Sequence, residues 1–299
     1  MLKCILLLLS EYYYGIVSER IEEIRKIVNP NHVEVFLRRA SVIEEMEAVG
    51  DKNSEDISFT SNNGMIYIEE TLIITDDPKA AEILLDRGRY VVILYHEQNR
   101  SQNFPAAKYG MEDLFQLEYK SYQEVYQRLA GQPWEILQTD RLLVRESVLE
   151  DVDEFYRIYR EPSITLYMED LYKDRDEELA YMKAYIDRIY GFYGYGLWTV
   201  VLKDTGQVIG RAGLSVREGY ELPELGFLIE VSYQKQGYGF EVCNGILQYA
   251  KEVLEFEKIQ ALADEKNAIS VHLLEKLGFE FERNVMEAHR DYKLFIKKI

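Results

Sequence analysis

The sequence predicts an α/β (α+β) protein in two parts: a parallel, crossover-connected unit over residues 1–132 and a second sheet-and-helix unit over 133–299. Three observations lead there. Residues 65–95 read as strand, helix, strand: an apolar run ending in Leu72-Ile73-Ile74, a helix opened by Asp76-Asp77-Pro78 and closed by Gly88, then Tyr90-Val91-Val92-Ile93-Leu94-Tyr95. That spacing implies a right-handed parallel crossover. Residues 198–231 instead hold consecutive short strands, the first two joined by Lys203-Asp204-Thr205-Gly206, a hairpin turn. Between the two patterns Gly131-Gln132-Pro133 punctuates the chain after a helical stretch.

In the first part, the apolar run at residues 4–9 follows a single lysine and precedes no small-residue cleavage site, so it reads as a buried first strand rather than a leader. Ile21, Ile24, Ile27 and Val28 fall at helical spacing over 19–28, and a second helix is expected over 42–49. Residues 51–64 are polar and turn-rich; 65–75 read as one strand, 114–119 as another, and 122–129 as a last helix. The unit is Rossmann-like in outline. Asp76 and Asp77 stand where a parallel sheet can present acids to a ligand, although helix capping explains them more simply. The half resembles a degenerate haloacid-dehalogenase-type domain, but Asp76-Asp77-Pro78-Lys79 lacks that family's DxDx[TV] motif and no complete catalytic set accompanies it. Its role stays open.

The second part opens with a strand over 134–146, then an acidic helix start at Glu150-Asp151, and a helix over 177–189 carrying Leu179, Met182, Ile186 and Ile189. An aromatic, glycine-rich loop covers 190–198. After the hairpin strands, residues 224–231 form an apolar strand that runs into Gln234-Lys235-Gln236-Gly237-Tyr238-Gly239. Phe240, Cys243, Leu247, Ala250 and Leu254 then mark one face of a helix. Glycines between a strand end and a helix start allow close approach of an anion to unpaired first-turn amides. A strand over 259–263 and a helix with Val271, Leu274 and Leu277, closed by Gly278-Phe279, complete the pattern.

Three stretches resemble the GNAT acyltransferases. Gln234-Lys235-Gln236-Gly237-Tyr238-Gly239 matches their Q/R-x-x-G-x-G/A pyrophosphate loop. Thr139-Asp140-Arg141-Leu142-Leu143-Val144-Arg145-Glu146 resembles the first strand of the ribosomal-protein N-terminal (Rim-type) subgroup. Asn267, Ser270 and Glu275-Lys276-Leu277-Gly278-Phe279 follow the same family's N-x-x-S-x-x-x-x-E-K-L-G-F pattern. The resemblance covers residues 133–299 and implies a GNAT mixed-sheet domain. It also implies acetyl-CoA as co-substrate and direct acetyl transfer to an amine. The cofactor would lie on Gln234, Lys235, Gln236, Gly237, Tyr238, Gly239 and Phe240, on the backbone of Phe227, Leu228 and Ile229, and against Asn267 and Ser270. An ammonium acceptor must lose a proton before it can attack; Glu224, at the start of the central strand, is the candidate base. The family's usual acid, a Tyr, is replaced by Leu274, which leaves Ser270, a water or Tyr292 to protonate the departing sulfur. Tyr193, Tyr195 and Trp198 are candidates to line the acceptor pocket by cation–π contact. A non-catalytic acyl-CoA-binding protein is the competing reading.

Composition narrows the partners. A net charge of −18 disfavours nucleic acid and favours a cationic acceptor, either a small amine or a protein N-terminus. Cys4 and Cys243 read as reduced core thiols, and His32, His96, His272 and His289 have no metal-ligand spacing, so no metal is expected. No run reaches transmembrane length, and a cytoplasmic protein is expected. Pairing into a homodimer stays open.

Overall fold

The computed structural model describes residues 1–43, 59–61, 64–66, 68–287 and 290–299. The chain forms two compact units, Met1–Gln132 and Pro133–Ile299. The first contains β1 (Cys4–Leu9), α1 (Glu11–Val28), β2 (Glu34–Arg39), a hairpin of β3 (Phe59–Ser61) and β4 (Gly64–Ile66), β5 (Thr71–Thr75), α2 (Pro78–Asp86), β6 (Val91–Leu94), β7 (Gly110–Met111) and α3 (Tyr119–Leu129). Its sheet has the order β2-β1-β5-β6-β7 and is parallel throughout. β1 is buried along its whole length, which is why Cys4–Leu9 is uniformly apolar rather than alternating. α1 and α3 cover one face through Val17, Ile24, Tyr122 and Tyr126, and α2 covers the other through Ala80, Ala81 and Leu84.

Several boundaries differ from the sequence expectation. α1 starts eight residues earlier than 19, at Glu11, because Ser10 is anchored by Asp76, which accepts its backbone N–H at 2.7 Å and its hydroxyl. The strand expected over 65–75 is interrupted by a 3-10 turn at Ile68–Glu70. No strand forms at 114–119: Asp113 accepts the N–H groups of Phe115 and Gln116, bending the backbone, while the Leu114 carbonyl accepts the Tyr122 hydroxyl at 2.6 Å. Residues 44–49 of the helix expected over 42–49, and most of the loop over 51–64, lie outside the described residues. Asp77 caps α2, accepting the Ala80 N–H at 2.9 Å. The buried Asp76 also meets His96 Nε2 at 3.0 Å.

The second unit contains β8 (Glu135–Gln138), β9 (Leu142–Arg145), α4 (Asp151–Tyr159), α5 (Arg175–Tyr185), β10 (Leu197–Leu202), β11 (Val208–Ser215), β12 (Glu224–Ile229), α6 (Tyr238–Glu252), β13 (Lys258–Asp264), α7 (Ala268–Lys276), β14 (Glu280–Glu287) and β15 (Arg290–Lys298). The sheet order is β14-β15-β13-β12-β11-β10-β9-β8. Neighbours are antiparallel except β12 and β13, which are parallel. The single strand expected over 134–146 is a hairpin of β8 and β9, since the Thr139 N–H returns to the Leu142 carbonyl at 2.9 Å. α5 runs on into a π-helical turn, Ile186–Tyr190. α6 packs on one face of the sheet through Val242, Cys243, Ile246, Leu247 and Ala250. α4 and α5 pack on the other, where Val152, Phe155, Ile158 and Met182 meet Leu228.

Two features shape the centre of this sheet. A Cβ at Gly210 would collide with the Leu228 carbonyl, so glycine lets β11 and β12 close tightly. β12 and β13 share the rung Glu224↔Gln260 and no other, so the two strands part beyond it.

Candidate active site

The glycine loop sits at the open end of that parting. Lys235 and Gly237 both take left-handed backbone conformations, with φ of 60° and 87°, an arrangement that turns successive amides toward one point. The Gln234 N–H bonds back to Val231 and the Glu241 N–H to Gly237. Between them, the backbone N–H groups from Lys235 to Phe240 have no acceptor among the described residues. Six amides are thus left without acceptors at the N-terminus of a helix, which suits an anion.

Below the loop, the backbone parity of β12 decides which groups face the gap. The Glu230 N–H donates to Ile209, so even-numbered residues of β12 bond to β11 and odd-numbered ones face β13. The amides of Phe227 and Ile229 therefore open onto the gap, as the resemblance implies. Leu228 does not: its backbone belongs to the β11 ladder opposite Arg211 and its side chain lies buried on the α4–α5 face. Gln234 is likewise a scaffold at this point, its side-chain amide donating to the Ile229 carbonyl at 2.8 Å. Gln236 ties the loop to Ser232 at 2.9 Å.

Sequence reasoning missed the brace on this loop. Glu241, in the first turn of α6, accepts the Thr139 hydroxyl at 2.6 Å and the Arg141 N–H at 2.9 Å, and pairs with the Arg141 guanidinium at 2.6 Å. Arg141 also donates to the Gln236 carbonyl at 3.1 Å and stacks 4.1 Å over Tyr238. Burial raises the Glu241 carboxyl, but the bonds from Thr139 and Arg141 outweigh it and hold it below the usual carboxylate range. The signal was available in Thr139-Asp140-Arg141, a polar turn before a strand.

Glu224 stands at the closed end of the gap and is buried, not a solvated strand-edge acid. Arg217 donates to both its oxygens at 2.9 and 3.2 Å and pairs with Glu287 as well. Burial raises the Glu224 carboxyl above its ordinary value, Arg217 opposes the rise and Glu287 adds to it. Tyr220 completes the cluster, donating to Glu287 at 2.6 Å.

Across the gap, Asn267 caps α7, its side chain accepting the Ser270 N–H at 3.2 Å. Ser270 is thereby fixed in the first turn. Leu274 is buried in the α6-side core, so no hydroxyl occupies that place. Tyr292 pairs with Asp264 on β13, four residues along the strand from Gln260, about 13 Å at the usual rise. It therefore lies near the loop end of the gap and far from Glu224.

The aromatic loop divides. Tyr193 is exposed and Tyr195 packs edge-on against Phe256, 5.4 Å between centroids. Trp198 is a correction: it is wholly enclosed, packed against Tyr249 in the core, and cannot line an acceptor pocket.

No group of three or more His, Cys, Asp or Glu among the described residues could hold a metal, and no described helix is long and apolar enough to cross a membrane.

Known proteins resemble this chain in its second unit. Residues 141–280 match the family model for the acetyltransferase (GNAT) domain. The uncharacterized protein YkkB of Bacillus subtilis (strain 168) is 26% identical over 167 residues, 54% of this chain and 95% of its own length. The uncharacterized N-acetyltransferase p20 of Bacillus licheniformis is 26% identical over 154 residues, 50% of this chain and 84% of its own. Among solved structures, a spermidine N-acetyltransferase from Vibrio cholerae in complex with CoA and spermine has a TM-score of 0.46 at 22% identity, covering 54% of this chain and 96% of that one. The C-terminal half of the chain is a GNAT acetyltransferase domain.

Proposed function

We propose that this domain binds acetyl-CoA along the gap between β12 and β13 and transfers its acetyl group to a primary amine. One observation carries the reading: six acceptor-free amides at the mouth of a gap whose wall offers two more, at Phe227 and Ile229. That pattern fits a pyrophosphate joined to an amide-containing arm. Lys235 adds a solvated charge beside the loop, and Asn267 and Ser270 border the arm from α7.

When bound, acetyl-CoA supplies a thioester, so that a C–N bond forms as the C–S bond breaks with its electron pair on sulfur. An ammonium acceptor gives up two protons in all, one to the sulfur and one to a base. Glu224 takes the latter, directly or through water, and Arg217 holds it in place. With Leu274 at the usual acid position, sulfur is protonated by water or Ser270. Tyr292, on β15 beyond β13 and level with the loop end of the gap, is a weaker donor candidate. Tyr193 and Tyr195 are left at the acceptor side. The acceptor is a small amine or, by likeness to the Rim-type subgroup, a protein N-terminus.

The burial of Leu274 also favours a second reading, an acyl-CoA-binding protein without turnover. Calorimetry of acetyl-CoA on the intact chain, paired with a thiol-release assay over amines, separates the two. Gly237→Glu places a charged side chain where φ is 87° and should abolish binding; undiminished affinity in that variant would remove the loop from the site.

A further inference from the structure

One rung in the middle of the second unit's sheet carries no side chain. Gly213 of β11 and Gly226 of β12 stand opposite each other. Leu225 and Phe227 pack on the α6-side core and Leu228 in the α4–α5 cluster, so alternation turns Gly226, like Glu224, to the α4–α5 face. The glycines of these two strands answer different needs. At Gly210 and Gly213 a Cβ would collide with backbone, the Leu228 and Gly196 carbonyls. At Gly226, beyond its chain neighbours, it would meet Leu197 Cδ2 at 3.1 Å and no other atom of the described residues within 4 Å. Gly226 does not take a positive φ either, so neither packing nor backbone conformation calls for glycine there. Glu224, Leu225, Leu228 and Ile229 of the same strand are buried, whereas Gly226 is only half-buried. Open space therefore stands over bare backbone in an inner strand.

The strand registers give this space its walls. Two residues along, the same face carries Leu228 with Arg211 at one end and Glu224 with Ser215 at the other. Glu224 is thus about 7 Å along the strand from Gly226. On the β10 side stands Leu197, opposite Gly213, its backbone N–H donated to the Tyr185 hydroxyl at 2.7 Å. The β13 side is the gap itself. The result is a slot with the candidate base at one end, the co-substrate's gap along one edge and a floor of peptide backbone. We propose that this slot receives the acceptor, and that the acceptor is a primary amine on an unbranched carbon, R–CH2–NH3+. The assignment rests on the acetyl-transfer reading. A single carbon added at Gly226 already comes closer to Leu197 than ordinary van der Waals contact, so the slot has the width of one methylene chain. A methyl branch beside the nitrogen presses on Leu197 or on the floor. That disfavours α-amino acids other than glycine, and peptide N-termini that begin with any other residue.

The test measures thiol release by the intact chain from acetyl-CoA with paired amines: butylamine with sec-butylamine, benzylamine with α-methylbenzylamine, glycinamide with alaninamide. Stable conjugates, in which a carboxymethyl bridge joins the CoA sulfur to each amine, are titrated calorimetrically, so that fit is read without turnover. Each unbranched amine should exceed its branched partner about 100-fold in kcat/KM, and its conjugate should bind about tenfold tighter. Gly226→Ala fills the floor: acetyl-CoA affinity and melting temperature should hold, while KM for the unbranched amines rises and kcat/KM falls about 100-fold. Leu197→Ala widens the slot and should shrink the preference about tenfold; it carries the test if Gly226→Ala does not fold. Equal conjugate affinities within the pairs, or a preference that neither variant moves, overturn the slot and leave acetyl transfer standing. A conjugate preference without thiol release upholds the slot and removes turnover. Acetyl-CoA that fails to bind removes the acetyl-transfer reading, and the slot with it.

Discussion

Glu224 shows how one side chain can be read two ways until its surroundings are known. Its position at the head of a strand was legible from sequence; its burial and the Arg217 clamp, set by a residue seven positions earlier and by Glu287 on a distant strand, were not. As the base, it works only when ionised, so thiol release should fall on the acid side with a midpoint above the ordinary Glu value, because burial raises the carboxyl. Glu224→Gln should lower the rate and erase that limb. Arg217→Gln withdraws the cation that favours the ionised form, which should move the midpoint further up. A profile superimposable on wild type in both variants would exclude Glu224. Trp198 carries the opposite lesson: an aromatic beside glycines resembled a pocket wall, yet alternation along β10 turns it into the core, a direction that composition alone does not reveal.

Among elements, the strand–loop–helix of β12 and α6 was the most legible, since apolar runs and glycines mark its parts in order. Its brace was not, because Arg141 and Glu241 are a hundred positions apart and only the fold joins them. Arg141→Ala should loosen the loop without opening the core. Acetyl-CoA affinity should drop about tenfold while the melting temperature changes little; an unaltered affinity would make the brace ornamental. The strand expected at 114–119 and the single strand expected over 134–146 failed for one reason. Side chains such as Asp113 and Thr139 bond to nearby backbone and turn it, a local competition that hydrophobic pattern does not register.

For the whole molecule, the parallel sheet of one unit and the mixed sheet of the other followed from strand spacing, which reports connection length directly. A net charge of −18 acts at a longer range. Acetyl-CoA is itself strongly anionic, so its association should quicken, by a few-fold, as ionic strength rises from low salt toward about 0.15 M and the repulsion is screened. Stopped-flow binding across that range checks it. An acceptor that is a polycation should show KM rising over the same range, whereas a zwitterion should not.

The parting of β12 from β13 has a further consequence. A sheet that keeps one rung between two of its inner strands is an unfinished ladder. A ligand arm lying in that opening would serve as the missing strand, taking up backbone bonds that the chain leaves unmade. If acetyl-CoA lies there, as proposed, the co-substrate would be a structural member as well as a reactant, and every turnover would remove and replace a piece of the sheet.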